Sequence, residues 1–226
     1  MKIELLDHGY VRLVEYMGSD LSVVRAARVS YNAAWRVGEN EGSDTRLLRF
    51  LWSHKHTSPF EAVALTFEVK APIFVLRQWH RHRTQSYNEM SARYCELPEE
   101  FYLPDPSVVG EQSTNNKQGR QEASVLAMSE RPSQVAVLKH HCEDAFVLYR
   151  DLLDKGWPRE LARMCLPLNT YSAMFATMNL LNLFRFATLR LDPHAQLEIR
   201  VYARAMIELA RRVAPICVGA WEEELK

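Results

Sequence analysis

The 226-residue chain is long for one average domain and short for two, so a single domain over residues 1–226 is expected. Its 47% hydrophobic and 25% charged content is that of an ordinary globular protein with enough apolar residues for a sizeable core. Lys plus Arg and Asp plus Glu both number 28; general nucleic-acid or anionic-membrane binding favours a basic excess, so neutrality argues against both and leaves only a local arginine cluster open.

The first segment, MKIELLDHGYVRLVEYMG, carries acids throughout and no unbroken apolar stretch, so it reads as neither signal peptide nor membrane span. Its pattern is that of a strand or strand pair closed by Gly18. DLSVVRAARVSY reads as a helix capped by Asp20. SDTRLLRFLWSHKH reads as another, capped by Ser43 or Asp44, with Leu47, Leu48 and Leu51 inward. AVALTFEVK alternates Leu65, Phe67 and Val69 against Thr66, Glu68 and Lys70, the pattern of a half-buried strand. Pro72 then suits the first turn of a helix, PIFVLRQWHRH.

From Leu103 to Ser124 the chain is polar and rich in Pro and Gly, a loop of the length usual for lids or disorder. Its NNKQGR stretch suits a solvated linker and a lid equally. Helices follow over SQVAVLKHHCEDAFVLYRDLLDKG and RELARMCL, then a buried strand, TYSAMFATMN. The last helix is expected to open at Asp192-Pro193 and to run through HAQLEIRVYARAMIELARRVA. The fold class that results is α+β, one domain with a small, mostly antiparallel sheet packed against several helices. Cys95, Cys142, Cys165 and Cys217 are scattered with no C-x-x-C pair, which suits reduced thiols in a cytoplasm.

One stretch asks for a ligand. RHRTQSYNEMSARY, Arg81 to Tyr94, follows the apolar APIFVLRQWH and crowds cationic and amide groups into one turn. On a continuous helix Gln78, Arg81 and His82 share a face, and Arg77 and Arg81 stand four apart, where like charges repel unless an anion lies between them. Arginine's planar fork matches phosphate. Ser86, Asn88, Glu89, Ser91 and Arg93 add donors around one carboxylate, which can accept from a ribose hydroxyl or an imide N–H. From the residues alone the choice lies between a solvated helix end and a site for a nucleotide or other phosphate-bearing small molecule.

The same stretch resembles the signature of flavin-dependent thymidylate synthases at Arg81, His82, Arg83, Ser86, Asn88, Glu89, Ser91, Arg93 and Tyr94. The resemblance continues in RAARVSY, HKHTSPFEAVALTFEVKAPIFVLRQW, RELARMCLPLN and LRLDPHAQLEI, most of the chain. It implies a homotetramer holding FAD between subunits and making dTMP from dUMP, with methylenetetrahydrofolate as carbon donor, NADPH as reductant and no enzyme nucleophile. By the same resemblance Arg81, His82 and Arg83 contact FAD, and Ser30, Ser58, Glu89 and Asn179 complete the flavin site. Gln78, Arg81, Glu89, Ser91, Arg93, Arg163 and Arg190 hold dUMP, and His56 sits near the folate and nicotinamide approach. Arg190 is implied to activate the uracil ring; a salt bridge to Asp192 is the competing reading. After Asn179 the chain departs from the pattern: Leu181 and Arg185 stand where relatives carry Arg and Asn that touch flavin. A backbone contact at Leu181 survives that change and a side-chain contact does not.

His54, His56, His80 and His82 could suggest a metal, but no Cys or carboxylate completes a ligand set at zinc-like spacing, so none is expected. Cys95 follows the signature without belonging to it and is read as incidental. A nucleic-acid-binding module built on WHRHR is the rival class; neutral charge and Glu89 inside the patch weigh against it.

Overall fold

Strands β1 (Lys2–Leu5) and β2 (Gly9–Met17) form the expected pair, and Gly18 closes it at φ +87°, where a Cβ would meet the Ala62 carbonyl oxygen at 2.8 Å. The computed structural model describes residues 1–120 and 129–225. Helices α1 (Asp20–Arg28) and α2 (Glu41–Ser53) follow, then β3 (Ala64–Pro72), α3 (Ile73–Trp79) and β4 (Ser86–Glu89). After a long connection come α4 (Arg131–Asp154), the single turn α5 (Arg159–Ala162), β5 (Tyr171–Asn179), α6 (Leu180–Arg190), α7 (Leu197–Ala210) and α8 (Pro215–Glu223).

The five strands make one sheet in the order β1-β2-β3-β5-β4, with every ladder antiparallel. Because β3 and β4 both flank β5, α3 crosses from one side of β5 to the other. One sheet face carries Val11, Leu65, Phe67, Val69, Met174, Ala176 and Met178, all buried beneath the helices with Trp79, Phe186, Tyr202 and Trp221. At about 1.5–3 kcal/mol for each fully buried large apolar side chain, this layer is the main source of stability. The opposite face shows Phe175 to solvent and is bridged by the Thr66 and Thr177 hydroxyls at 3.0 Å. A satellite cluster of Phe146, Tyr149 and Ala162 joins α4 to α5.

The class is as expected from the sequence; several element ends are not. Asp20 does not cap its own helix, whose N-cap is Ser19. Its buried carboxylate accepts the backbone N–H groups of Ile216 and Cys217 and so caps α8. Neither Ser43 nor Asp44 caps α2: the Asn40 side chain accepts from Ser43 N. Asp44 is instead buried against Arg28. Pro72 ends β3 and serves as the N-cap of α3 instead of lying within its first turn. The Asp192 carboxylate accepts the His194 N–H in a turn, and α7 opens only at Leu197.

The Leu103–Ser124 connection is described as far as Arg120, and its last four residues lie outside the described range. Up to there it is tied down. Gln112 Nε2 donates to the carbonyls of Lys117 and Gly119, each at 3.0 Å. Arg120 donates to both oxygens of buried Glu198 at 2.7 and 2.8 Å. Those bonds fasten its described part to α7.

Candidate functional site

The signature stretch splits between a turn and an edge strand. Helix α3 stops at Trp79, so Gln78, Arg81 and His82 do not share a helix face as the spacing suggested. The physical reason is a set of side chains that capture the helix end. Trp79 Nε1 donates to Gln85 Oε1 at 3.0 Å. The Tyr87 hydroxyl lies 2.7 Å from the His82 carbonyl oxygen and 3.2 Å from that of Trp79. Helix-terminal carbonyls need partners, and a phenol reaching back from β4 supplies one.

The turn folds over the end of α6. The His82 ring meets Phe186 edge-on, with centroids 4.8 Å apart, and Arg190 Nε donates to His82 Nε2 at 2.8 Å. Burial first, and the Arg190 charge second, push the His82 pKa down to about 4. At neutral pH the imidazole is therefore uncharged, with Nε2 bare as the acceptor. Burial also lowers the Arg190 pKa, though an arginine so shifted stays protonated. The alternative bridge from Arg190 to Asp192 is not formed; Asp192 is taken by His194 at 2.9 Å. Among the described residues no carboxylate pairs with Arg81, Arg83 or Arg190. Gln78 Oε1 is buried with no hydrogen-bond partner.

A second group gathers at β4 and the turn beyond it. Glu89 accepts from Ser172 Oγ at 2.8 Å and lies 3.9 Å from His80 Nε2. Ser91 Oγ accepts from Arg93 N at 3.3 Å. Glu160 on α5 then draws two predicted residues together: its carboxylate is 3.2 Å from Arg93, and its carbonyl accepts from Arg163 Nε at 3.4 Å.

The third group lines a cavity of about 1000 Å³, which brings Ser30, Ser58 and His56 together with Tyr31 and Phe50. Its rim is the connection between α1 and α2. Arg28 holds that rim by donating to the Arg36 carbonyl at 2.6 Å and to the Asp44 carboxylate, whose other oxygen accepts from Gly38 N at 2.9 Å. Asn179 opens α6, its side-chain oxygen accepting from Asn182 N at 2.9 Å, beside the Ser58–Ala62 turn that leads into β3. Leu181 is buried, its side chain packed in the core. Arg185 is exposed and donates to Asn182 Oδ1 at 3.2 Å.

Sequence reasoning missed Gln85 and Tyr87, which shape the arginine turn, and the Arg28–Asp44 pair, which shapes the cavity rim. For Gln85 and Tyr87 a signal existed, since both lie inside the signature between its fixed positions. For Asp44 none did, because its charge partner comes from another helix. Among the described residues no group of three or more His, Cys, Asp or Glu side chains could hold a metal ion.

Comparison with known proteins bears on these three groups. A family model described as thymidylate synthase complementing protein matches residues 12–216. A flavin-dependent thymidylate synthase of Thermus thermophilus is 47% identical over 225 residues, spanning 100% of this chain and 80% of that protein. The one from Treponema denticola is 44% identical, spanning 100% and 83%. Among solved structures, the UMP/dUMP methylase PolB from Streptomyces cacaoi, bound with 5-Br dUMP, aligns with a TM-score of 0.86 at 37% identity, covering 98% of this chain and 97% of that one.

Proposed function

The chain belongs to the flavin-dependent thymidylate synthase family, and on that premise we propose that it methylates dUMP to dTMP with FAD, taking the carbon from methylenetetrahydrofolate and the electrons from NADPH. The observation that carries the reading is the set of three arginines, Arg81, Arg83 and Arg190, with no counter-ion among the described residues, gathered where α3 and α6 end. Arg190 is half-buried and Arg81 and Arg83 are exposed, and guanidinium forks suit phosphate and pyrophosphate.

The donor set fits both ligands. The orphaned Gln78 Oε1 suits an imide N–H, Arg93 and Arg163 lie together at Glu160, and Glu89 offers an acceptor for a ribose hydroxyl. FAD suits the cavity lined by Ser30 and Ser58, with Arg81, His82, Arg83, Glu89, Asn179, the Leu181 backbone and Arg185 as its further contacts. When bound, FAD supplies a two-electron carrier between NADPH and the transferred carbon. His56 lies in the same cavity, suited to the approach of folate or nicotinamide.

The residues of the chain then do the remaining work. C5 of uracil must become electron-rich before it can take the one-carbon unit, which happens as negative charge builds on the ring carbonyls and imide. Arg190, a permanent cation in a partly buried position, stabilises that charge more than water does. The C5 hydrogen leaves as a proton once the carbon is attached, and hydride delivery converts methylene to methyl as tetrahydrofolate departs. Ser91 and Cys95 need form no bond to the pyrimidine.

Among the described residues no hydrogen bond joins Ser30 or Ser58 to the arginine turn. A homotetramer in which different copies supply the cavity and the turn is part of this reading. Four free thiols suit a cytoplasmic enzyme, and no described helix is long and apolar enough to cross a membrane. The test is spectroscopic and chemical. Purified protein should be yellow, bleach with NADPH, and form dTMP from dUMP and methylenetetrahydrofolate; colourless protein that stays inert after FAD is added refutes the reading.

A further inference from the structure

Arg190 has an unexpected partner. A partly buried guanidinium normally meets a carboxylate. Here the contact is a neutral imidazole: Arg190 Nε donates to His82 Nε2 at 2.8 Å. Asp192, two residues on, is the nearest acid in sequence and is taken up by the backbone N–H and ring of His194, at 2.7 and 2.9 Å.

His82 is itself held from three sides. Phe186 packs edge-on to the ring, the Tyr87 hydroxyl donates to its carbonyl at 2.7 Å, and Tyr87 and Trp79 both reach Gln85 Oε1. The imidazole therefore has a fixed position and, at neutral pH, a bare Nε2. Such an acceptor has a property that no carboxylate shares. It fixes one N–H of the guanidinium, leaving the Nη edge free, and it cancels none of the positive charge. A carboxylate in its place would hold the side chain at least as firmly, while drawing the field away from the point where substrate charge develops.

We infer that His82 is the positioning residue for Arg190, a neutral acceptor that aims the Nη edge of the guanidinium toward the pyrimidine and leaves its charge uncompensated for the anion forming there. This rests on the reading of Arg190 as the uracil-activating residue and adds a role for His82 beyond contact with FAD.

The test compares His82→Gln, His82→Glu and Arg190→Lys in enzyme saturated with FAD. Flavin occupancy is read from visible absorption, and kcat and KM for dUMP from dTMP formation. Gln retains a neutral acceptor, so kcat should fall by no more than about tenfold. Glu retains the contact and removes the uncompensated charge, so kcat should fall by about 10²–10³, the scale of one lost transition-state donor, with a smaller change in KM. NADPH oxidation without dUMP is read for each variant as well, so that a loss at the FAD contact of His82 is told apart from a loss at the pyrimidine step. Equal kcat values for the Gln and Glu variants overturn the inference, as does failure of both to retain flavin at saturating FAD, which would make His82 a cofactor ligand alone. A near-parental rate for Arg190→Lys would instead sink the reading of Arg190, and a low rate there with equal Gln and Glu variants would sink only the positioning role.

Discussion

Removing the Asp44 carboxylate should loosen the cavity rim and destabilise the protein at once. The side chain is 3% exposed and its partner Arg28 only 16%, so this is a buried pair and not a surface one. It also accepts from Gly38 N at 2.9 Å, while Arg28 reaches the Arg36 carbonyl at 2.6 Å. Asp44→Ala leaves a guanidinium and a backbone N–H without their acceptor. Breaking a buried pair by deleting one member costs about 3–5 kcal/mol. For a chain of this length each kcal/mol lowers Tm by about 2–4 °C, so a fall of about 6–20 °C is expected. Asp44→Asn keeps an acceptor and loses only the charge, the difference between a charged and a neutral hydrogen bond, about 1–2 kcal/mol. The order parent, Asn, Ala should appear in thermal melts at fixed protein concentration. FAD affinity, measured by flavin fluorescence, should weaken in the same order and by about tenfold or more in the Ala variant, because the ligand must now order the segment carrying Ser30 and Tyr31. A fall of less than about 2 °C for Ala, or unaltered FAD affinity in a clearly destabilised variant, refutes the argument.

Arg81→Ala should lose affinity for FAD or dUMP by about tenfold or more, since a charge-assisted phosphate contact contributes about 1.5–3 kcal/mol; equilibrium titration of each ligand checks this, and two unchanged affinities would exclude an anion clamp. Ser91→Ala and Cys95→Ala should each still form dTMP, and intact-mass analysis of enzyme incubated with dUMP should show no adduct on either residue. Acid should weaken the fold through His82, whose pKa falls from 6.5 to about 4 because burial, and then Arg190, disfavour the cation. Between those values the unfolded chain takes up a proton that the native ring refuses, so stability is intact above about pH 6.5 and declines toward pH 4. Urea midpoints across that range should fall less steeply in His82→Gln than in the parent.

The strands were legible because period-two alternation has few imitators: Leu65, Phe67 and Val69 are all buried as read, and Tyr171–Asn179 forms a strand. The helix ends were not legible, and the reason lies in the short acids. A carboxylate before an apolar run looks like a cap, yet Asp20 is claimed by donors 196 and 197 positions away and Asp44 by an arginine on another helix. Local rules cannot see such partners. The α7 start was misplaced for a related reason, since Asp192 finds His194 within a turn and the helix waits for Leu197. Helix α8 opens at Pro215 and hides Cys217, Val218 and Trp221, an apolar set that the sequence reading passed over. At the site, the contact between His82 and Arg190, 108 positions apart, belongs to the folded chain alone.

Strand β4, which carries the heart of the signature, has β5 as its sheet partner, and Glu89 meets Ser172 across 83 positions of sequence. During synthesis the ribosome releases every residue of the motif well before the segment that anchors it. A nascent chain arrested ahead of residue 171 holds every residue of the motif and no edge on which to lay it out. Loop closure over that span slows such pairings, so the site matures with the whole domain and not as an early local unit. Proteolytic nicks in the long connection before α4 thus cut between the signature and its anchor, and an N-terminal fragment that keeps every signature residue should neither hold flavin nor hold its shape.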